Sequence, residues 1–579
     1  MLPKLKTITL LSGDVIEVSS GVTAIVGPNN AGKSLFLREI QGYIGFVPGR
    51  QQPTSLIGSI ELEPRTSVEE AINWLHQRYE RLQPGLTRFG QIFEPAYHID
   101  GQIVAEPQLG ALLQSQTLGQ LVGAYALHLN AEGRLGMTAG QTSSFDLLHD
   151  RPVVPAQHLY KDRDLEQRIS ELMTRAFGES LTVNRYAGSV ITLHVGSVSA
   201  EEAIPPSHEY LQQLNALPEL KDQGDGIRAF VGILLAIETA HFPLLIIDEP
   251  EAFLHPPQAY LLGKMLSEKC GDEVQIIVAT HSQEILQGLT SGMSKGRDVS
   301  IVRLVRDGPA SNRAYQVASQ TIRDLYEDPL VKYYGILGGL FYQGTVLCEA
   351  DSDCTYYRAV LDSLEQLPNG MSTSVLSLHF THCGGKDRLP KAVKALRAAE
   401  VPVCCVVDID FLQEDKDFNA LVDSCGGDVE ALTPRRNDVL SAVRNHARKV
   451  RRAVAESEIN MVLKAGSASE LSSKELREIS KSLRVSSGWR EAKLYGRSLF
   501  SGQALISFDI LCEELRKIGI FVVEVGELER FHRDVSADNK AVWLRTVLER
   551  NLPRSSDAKD FVAAIALKIL AGADGARAR

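Results

Sequence analysis

A lysine and a hydroxyl placed directly behind a glycine loop can grip phosphate. This 579-residue chain carries one such arrangement at Gly27-Pro28-Asn29-Asn30-Ala31-Gly32-Lys33-Ser34. Its spacing is G-x-x-x-x-G-K-S. Gly27, Asn29, Asn30 and Gly32 are expected to fold backbone N–H groups around phosphate oxygens, Lys33 to reach the β- and γ-phosphates, and Ser34 to bind Mg2+. The acidic complement lies at Leu244-Leu245-Ile246-Ile247-Asp248-Glu249-Pro250, an apolar run ending in adjacent carboxylates. Asp248 is suited to hold Mg2+, directly or through water, and Glu249 to position or deprotonate the attacking water. The cofactor implied is ATP with Mg2+.

A second group of carboxylates follows about a hundred residues later. Val346-Leu347-Cys348-Glu349-Ala350-Asp351-Ser352-Asp353 puts Glu349 at the end of a buried strand and Asp353 on the next turn. Val403-Cys404-Cys405-Val406-Val407-Asp408-Ile409-Asp410 repeats the pattern. If the strand runs through Asp410, Asp408 and Asp410 face one side and address one pocket. Ligands made only of oxygen suit Mg2+ or Mn2+. Two such ions about 3.5–4 Å apart can activate water and stabilise the leaving oxygen in phosphodiester cleavage.

These residues must be positioned by strands and helices in alternation. The strand Val22–Val26 feeds the glycine loop, and a helix is expected from Ser34 to about Tyr43. A helix over 226–240, the strand 244–248, a helix over 257–269 and the strand 275–280 then imply a mainly parallel sheet. A second α/β series is expected from 345: strand, helix 354–364, strand 374–380, helix 388–399, strand 401–407. A helical stretch of about 415–515 precedes a returning strand at 520–524. Gly335, Gly338 and Gly339 loosen the chain where the domains should join, giving 1–335 and 336–579. No sustained heptads separate Lys33 from Asp248, so a long coiled-coil arm is not expected.

Composition bounds the rest. With 44% hydrophobic and 23% charged residues the chain reads as an ordinary globular protein of several domains. No apolar run approaches the ~20 residues needed to cross a membrane. The start, Met1-Leu2-Pro3-Lys4, does not read as a secretory signal. The eight cysteines show neither C-x-x-C nor zinc spacing, so they read as small buried hydrophobes and the cytoplasm as the compartment. A net charge of −11 argues against DNA coating the whole surface. From Arg435 to Arg497, however, 15 Lys/Arg face 7 Asp/Glu, leaving −19 on the remainder. Arg444, Arg448, Arg451 and Arg452 would share an arc of roughly 100° on one helix, opposite Val439, Val443, Val450 and Val454. Such a face can follow the phosphates of DNA without reading its bases.

Asp248-Glu249-Pro250-Glu251-Ala252-Phe253-Leu254-His255-Pro256, followed by Ala279-Thr280-His281-Ser282, resembles the ABC-type ATPase head of DNA-repair and SMC-like proteins. The resemblance makes His281 the switch histidine that senses γ-phosphate. It makes Gln223-Gly224-Asp225-Gly226-Ile227-Arg228 the signature segment, whose Gly224 and Gly226 meet the nucleotide of an opposing head; the usual Ser-Gly-Gly is absent. A homodimer or higher homo-oligomer is then implied. Glu349 with Asp408-x-Asp410, and Gly384-Gly385 between them, resembles the Toprim fold, with Ala350 where a glycine is usual. Head followed by Toprim resembles the overcoming-lysogenization-defect (OLD) nucleases, which include the nuclease of Gabija-type phage defence. That resemblance adds a later acid, Glu529 before Glu527, and a catalytic lysine, Lys540 or Lys559.

The sequence is therefore read as α/β: an ABC-type P-loop ATPase head followed by a Toprim α/β domain with a helical insertion. The expected function is an ATP-regulated, metal-dependent DNA endonuclease or nickase of antiphage defence, acting with DNA and with a defence-system partner protein or nucleic acid. The alternative is a DNA-repair or chromosome ATPase whose Toprim domain only binds nucleic acid. Strand passage and primase activity lack a recognisable signature, and a transporter lacks both a membrane domain and the standard signature motif.

Overall fold

A computed structural model describes residues 3–46, 55–63, 67–87, 89–115, 117–148, 151–239, 242–269, 274–291, 298–306, 311–326, 334–446, 452–465, 470–482, 488–537, 539–555 and 557–577. The chain divides into two compact units, Met1–Arg323 and Asp324–Arg579.

In the first unit, β1 (Lys4–Leu10) pairs antiparallel with β2 (Val15–Glu17), and also with β4 (Ile57–Glu63). The central sheet has β3 (Val22–Val26) at its heart, flanked by β5 (Ala126–Leu129), β6 (Leu244–Asp248), β7 (Gln275–Ala279), β8 (Val299–Arg306) and β9 (Asn312–Val317). Their order is β5-β6-β7-β3-β8-β9, and only the β8–β9 pairing is antiparallel. Val22–Val26 is buried along its whole length. That explains its mainly apolar sequence, with Thr23 as the one buried polar residue: a parallel strand covered on both faces has no solvent side to mark with polar residues. Helices α1 (Lys33–Ile44), α2 (Ala131–Gly136), α3 (Asp225–Thr239) and α4 (Pro256–Lys269) connect the strands. Between Lys33 and Asp248 the described helices are no longer than 15 residues.

The second unit holds a four-stranded parallel sheet of β10 (Gly344–Cys348), β11 (Leu378–His382), β12 (Val403–Val407) and β13 (Ile520–Val522), in the order β11-β10-β12-β13. Helix α5 (Asp351–Asp362) follows β10 and α6 (Leu389–Ala398) follows β11. Tyr356, Tyr357, Phe521, Trp543 and Ile565 belong to its buried core. Between β12 and β13 the described residues form the helices α7 (Asp415–Ser424), α8 (Val429–Asn445), α9 (Arg452–Ala465), α10 (Ser473–Ser482), α11 (Trp489–Tyr495) and α12 (Gly502–Lys517). After β13 come α13 (Lys540–Glu549) and α14 (Ala558–Arg577).

The structure departs from sequence expectation in four places. The unit boundary falls at Arg323/Asp324 rather than near 335. Gly335, Gly338 and Gly339 do not loosen a linker. Ile336–Phe341 is a buried 3-10 helix in which a Cβ on Gly339 would lie 2.2 Å from Thr345 Oγ1. Gly339 thus serves close packing, and Gly335 (φ 67°) caps the turn in the left-handed conformation. Second, the strand expected over 374–380 starts at Leu378, because Thr373–Val375 forms a 3-10 turn. Third, β12 ends at Val407, and Asp408 caps the 3-10 turn Ile409–Leu412, so Asp408 and Asp410 do not share a strand face. Fourth, α8 ends at Asn445 and α9 starts at Arg452, so Arg444 and Arg452 stand on separate helices rather than on one. Val439 and Val443 are buried as expected, while Arg448, Val450 and Arg451 lie outside the described residues.

Among the described residues no helix is long and apolar enough to cross a membrane. Seven of the cysteines are free and buried, and Cys270 lies outside the described residues.

Candidate active sites

The phosphate loop joins the C-terminal end of β3 to α1. Gly27 (φ 142°), Asn30 (φ 65°) and Gly32 (φ 83°) all have positive φ. At Gly27 the requirement for glycine is twofold, since a Cβ there would sit 2.2 Å from the carbonyl oxygen of Leu304 on β8. Asn29 and Asn30 are exposed on the loop. The Lys33 ammonium donates to the loop carbonyls of Gly27 at 3.0 Å and Pro28 at 3.2 Å. Burial lowers its pKa, against the opposing charges of Glu249, Glu251 and Asp248. A desolvated lysine held in a cradle of carbonyls is poised for phosphate oxygens.

The two acidic and basic motifs meet because β6 and β3 both flank β7, with Asp248 opposite Ala279 and Ala279 opposite Ile25. Ser34 Oγ donates to Asp248 Oδ1 at 3.2 Å. Their oxygens fit a Mg2+ ion carried in with nucleotide, the hydroxyl and carboxylate being hard donors at the phosphate loop's mouth. Glu249 follows with φ 47°, a left-handed conformation that turns the chain sharply at the strand end. Two groups not assigned from sequence hold this corner. Arg134 on α2 is fully buried, and its guanidinium donates to the carbonyls of Asp248 at 2.6 Å and Glu249 at 3.1 Å. Asn312 on β9 donates through Nδ2 to the carbonyl of Ala31, at 2.6 Å, and so braces the phosphate loop.

His281 lies beside the same corner. Its Nδ1 is 3.5 Å from Glu249 Oε1 and 3.2 Å from Glu251 Oε1. Glu251 is the organiser that sequence reasoning quoted without a role. It accepts the His281 backbone N–H at 2.8 Å and the Thr280 hydroxyl at 2.9 Å. Burial pushes its carboxyl up, opposed by these hydrogen bonds and by His281. Gly226 lies on α3 where a Cβ would be 2.7 Å from the Phe253 carbonyl, which brings that segment against the turn after Glu249; Gly224 has open space.

The second site stands at the C-terminal ends of β10 and β12. Leu347 pairs with Cys405, so Glu349 comes level with the end of β12. The Asp408 backbone N–H donates to Glu349 Oε1 at 3.2 Å. Asp353 caps its own helix, accepting the Ala350 N–H at 3.0 Å, and its Oδ1 is 2.8 Å from Lys540 Nζ. Glu529 is buried on the 3-10 turn Leu528–Phe531 and contributes, after Asp353, to raising the Lys540 pKa against burial. Glu527 is instead paired with Arg530 at 3.0 Å. The structure thus brings Lys540 to these carboxylates, while Lys559 is at the start of α14.

Lys493 on α11 was not foreseen. Its ammonium is 3.0 Å from Asp410 Oδ2 and 3.3 Å from Asp408 Oδ2, and so gathers the carboxylates that the strand does not. The only sequence signal was its membership of the basic stretch, 85 residues beyond Asp408. Burial would depress its pKa, but Asp408 and Asp410 push it up. Asp408 is pushed up to about 8, first by burial and then by Glu349, with Lys493 opposing. Glu349 is raised too, mainly by burial. Crowded carboxylates that resist ionisation mark a place where positive charge is wanted. The donors are all oxygen and suit Mg2+ or Mn2+. Among the described residues, no three such side chains converge into a ready cation cage.

Two family models match the chain. AAA_21, described as an AAA domain (AbiEii toxin, Type IV TA system), matches residues 205–287, the region of α3, β6 and His281. The model for the Toprim domain of overcoming-lysogenization-defect-like proteins matches residues 340–410, from β10 to Asp410. The chain joins an AAA-type ATPase domain to an OLD-like Toprim domain. Its fold is α/β, a P-loop ATPase head followed by a Toprim domain. No curated protein matches. Similar solved structures include the SMC head bound to the C-terminal winged-helix domain of ScpA, at 14% identity over 56% of this chain and 100% of that one, with a TM-score of 0.35. Another is the SMC head domain from Thermotoga maritima, at 16% identity over 54% and 99%, with a TM-score of 0.28.

Proposed function

We propose that this OLD-like ATPase–Toprim protein is an ATP-regulated DNA endonuclease or nickase that uses divalent cations and serves in antiphage defence. The observation that carries the reading is the cluster at the strand ends: Glu349, Asp353, Asp408, Asp410 and Glu529, with Lys493 and Lys540 among them. Glu349, Asp408 and Asp410 would hold Mg2+ or Mn2+, joined by Asp353 and Glu529. Bound there, the cations supply a nucleophilic water and stabilise the leaving oxygen. Lys540, beside Asp353, would stabilise charge on the cleaved phosphate.

In the head, Ser34 and Asp248 would hold Mg2+ with ATP, Lys33 the terminal phosphates, and Glu249 the attacking water. His281, fixed by Glu251, would report the γ-phosphate. Gly224 and Gly226 would face nucleotide on a second copy, making the working form a homodimer or larger. The basic insertion would carry DNA phosphates, with exposed Arg444 on α8 among its described residues.

The test is supercoiled plasmid incubated with the full chain, Mg2+ or Mn2+, and each nucleotide state. Nicking or linearisation that disappears in Asp408→Ala is expected. No cleavage in any condition, with wild type and variant alike, would remove the nuclease reading. The alternative, a DNA-stimulated ATPase whose Toprim unit only binds, draws support from the lysines already neutralising the carboxylates. It requires ATP hydrolysis that DNA stimulates equally in wild type and Glu349→Ala.

A further inference from the structure

We propose that Lys493 is a built-in counter-ion for the Toprim carboxylates, which a divalent cation must displace in order to bind. This rests on the proposed metal-dependent reading of the site and assigns it a specific gate. The ammonium lies 3.0 Å from Asp410 Oδ2 and 3.3 Å from Asp408 Oδ2, bridging the pair as a shared cation would. A single ammonium cannot share that space with a hard divalent ion, whose carboxylate oxygens come within about 2.0–2.2 Å of the metal.

The backbone that carries Lys493 is fixed more firmly than its side chain. Trp489 and Ala492 on α11 are buried. The Lys493 carbonyl oxygen is so close to Gly526 that a Cβ there would lie 2.2 Å from it, and the Ala492 carbonyl 2.9 Å. Gly526 in turn accepts the Ile409 N–H at 3.1 Å, tying this loop to the Asp408 turn. The helix thus cannot drift away, whereas a flexible lysine stem can swing its ammonium out. Lys386 offers an internal contrast. Its ammonium is 3.5 Å from the Asp410 carbonyl oxygen and its charge acts on Glu349, but it does not bridge the Asp408 and Asp410 carboxylates as Lys493 does.

The experiment measures Mn2+ binding to the full chain without nucleotide, by titration calorimetry and by the electron paramagnetic resonance of free Mn2+. Asp408→Ala defines the background from other sites. Lys493→Met is expected to bind Mn2+ at least about tenfold more tightly, the ion no longer having to break a partly buried pair. Lys493→Arg, which keeps the charge, should stay near wild type. Lys386→Met should tighten binding far less than Lys493→Met. In the unaltered protein, reductive methylation of Lys493 followed by mass spectrometry should increase when Mn2+ is added, a measurement independent of how the variants fold.

Equal or weaker binding in Lys493→Met, an equal gain in Lys386→Met, or labelling that Mn2+ leaves unchanged overturns the proposal. So does a Lys493→Met protein that binds no Mn2+ beyond the Asp408→Ala background. The expected binding pattern without plasmid cleavage would remove the nuclease reading and leave the counter-ion standing. Asp408-dependent cleavage without the binding pattern would do the reverse.

Discussion

Ser34 and Asp248 are 214 residues apart in the chain, yet the serine hydroxyl donates to the aspartate carboxylate at 3.2 Å. That contact exists because β3 and β6 both flank β7 and end at the same edge of the sheet. Open parallel sheets place their ligand sites at this edge, where loops and helix N-termini converge. The Toprim sheet does the same with Glu349 and Asp408, using different chemistry.

The first prediction concerns the phosphate loop. Lys33→Ala removes the ammonium that Gly27 and Pro28 hold in place. ATP hydrolysis, followed as released phosphate, should fall by about a hundredfold or more, as for loss of a group that meets developing charge. Thermal stability should change little. Turnover equal to wild type would show that this loop does not handle ATP.

Glu251 is predicted to work through His281. Glu251→Gln keeps the shape but removes the charge that faces the histidine ring at 3.2 Å. Hydrolysis should fall by about tenfold while binding of a fluorescent ATP analogue is retained, because the residue acts on the histidine rather than on phosphate. Equal losses in binding and hydrolysis would instead mark Glu251 as a structural residue of the head.

The lysines should separate cleanly. Lys540→Met breaks the 2.8 Å pair with Asp353 and should lower the single-turnover cleavage rate by about two orders of magnitude. Lys559→Met should cleave at close to the wild-type rate. The opposite ranking would move the catalytic role to Lys559.

Gly526 gives a prediction about stability. Its φ is 114°, and a Cβ would meet the Lys493 carbonyl oxygen at 2.2 Å. Gly526→Ala should therefore cost about 3 kcal/mol or more, combining backbone strain with a clash against main chain. The midpoint of chemical denaturation measures it. A change within error would mean that α11 can retreat from this loop.

Most of the scaffold and the acids are legible in local sequence. The G-x-x-x-x-G-K-S loop, the apolar run ending in Asp248 and Glu249, and the strands ending in Glu349 and Asp408 are local patterns, set by burial and period within a few residues. Strand and helix ends were read to within a few residues for the same reason, as with α1 and β6. Which distant polar group answers which acid emerges only once the chain is folded. Arg134 on the Asp248 and Glu249 carbonyls, Asn312 on the phosphate loop and Lys493 between Asp408 and Asp410 have no local signature. Such partners are selected by proximity after folding, and a charged side chain looks the same in sequence whether it meets solvent or a buried carboxylate. The turn at Asp408 shows the limit most plainly. The alternation of Asp408 and Asp410 implied a shared strand face, yet the strand ends at Val407, before either, and a lysine from the insertion brings the two together.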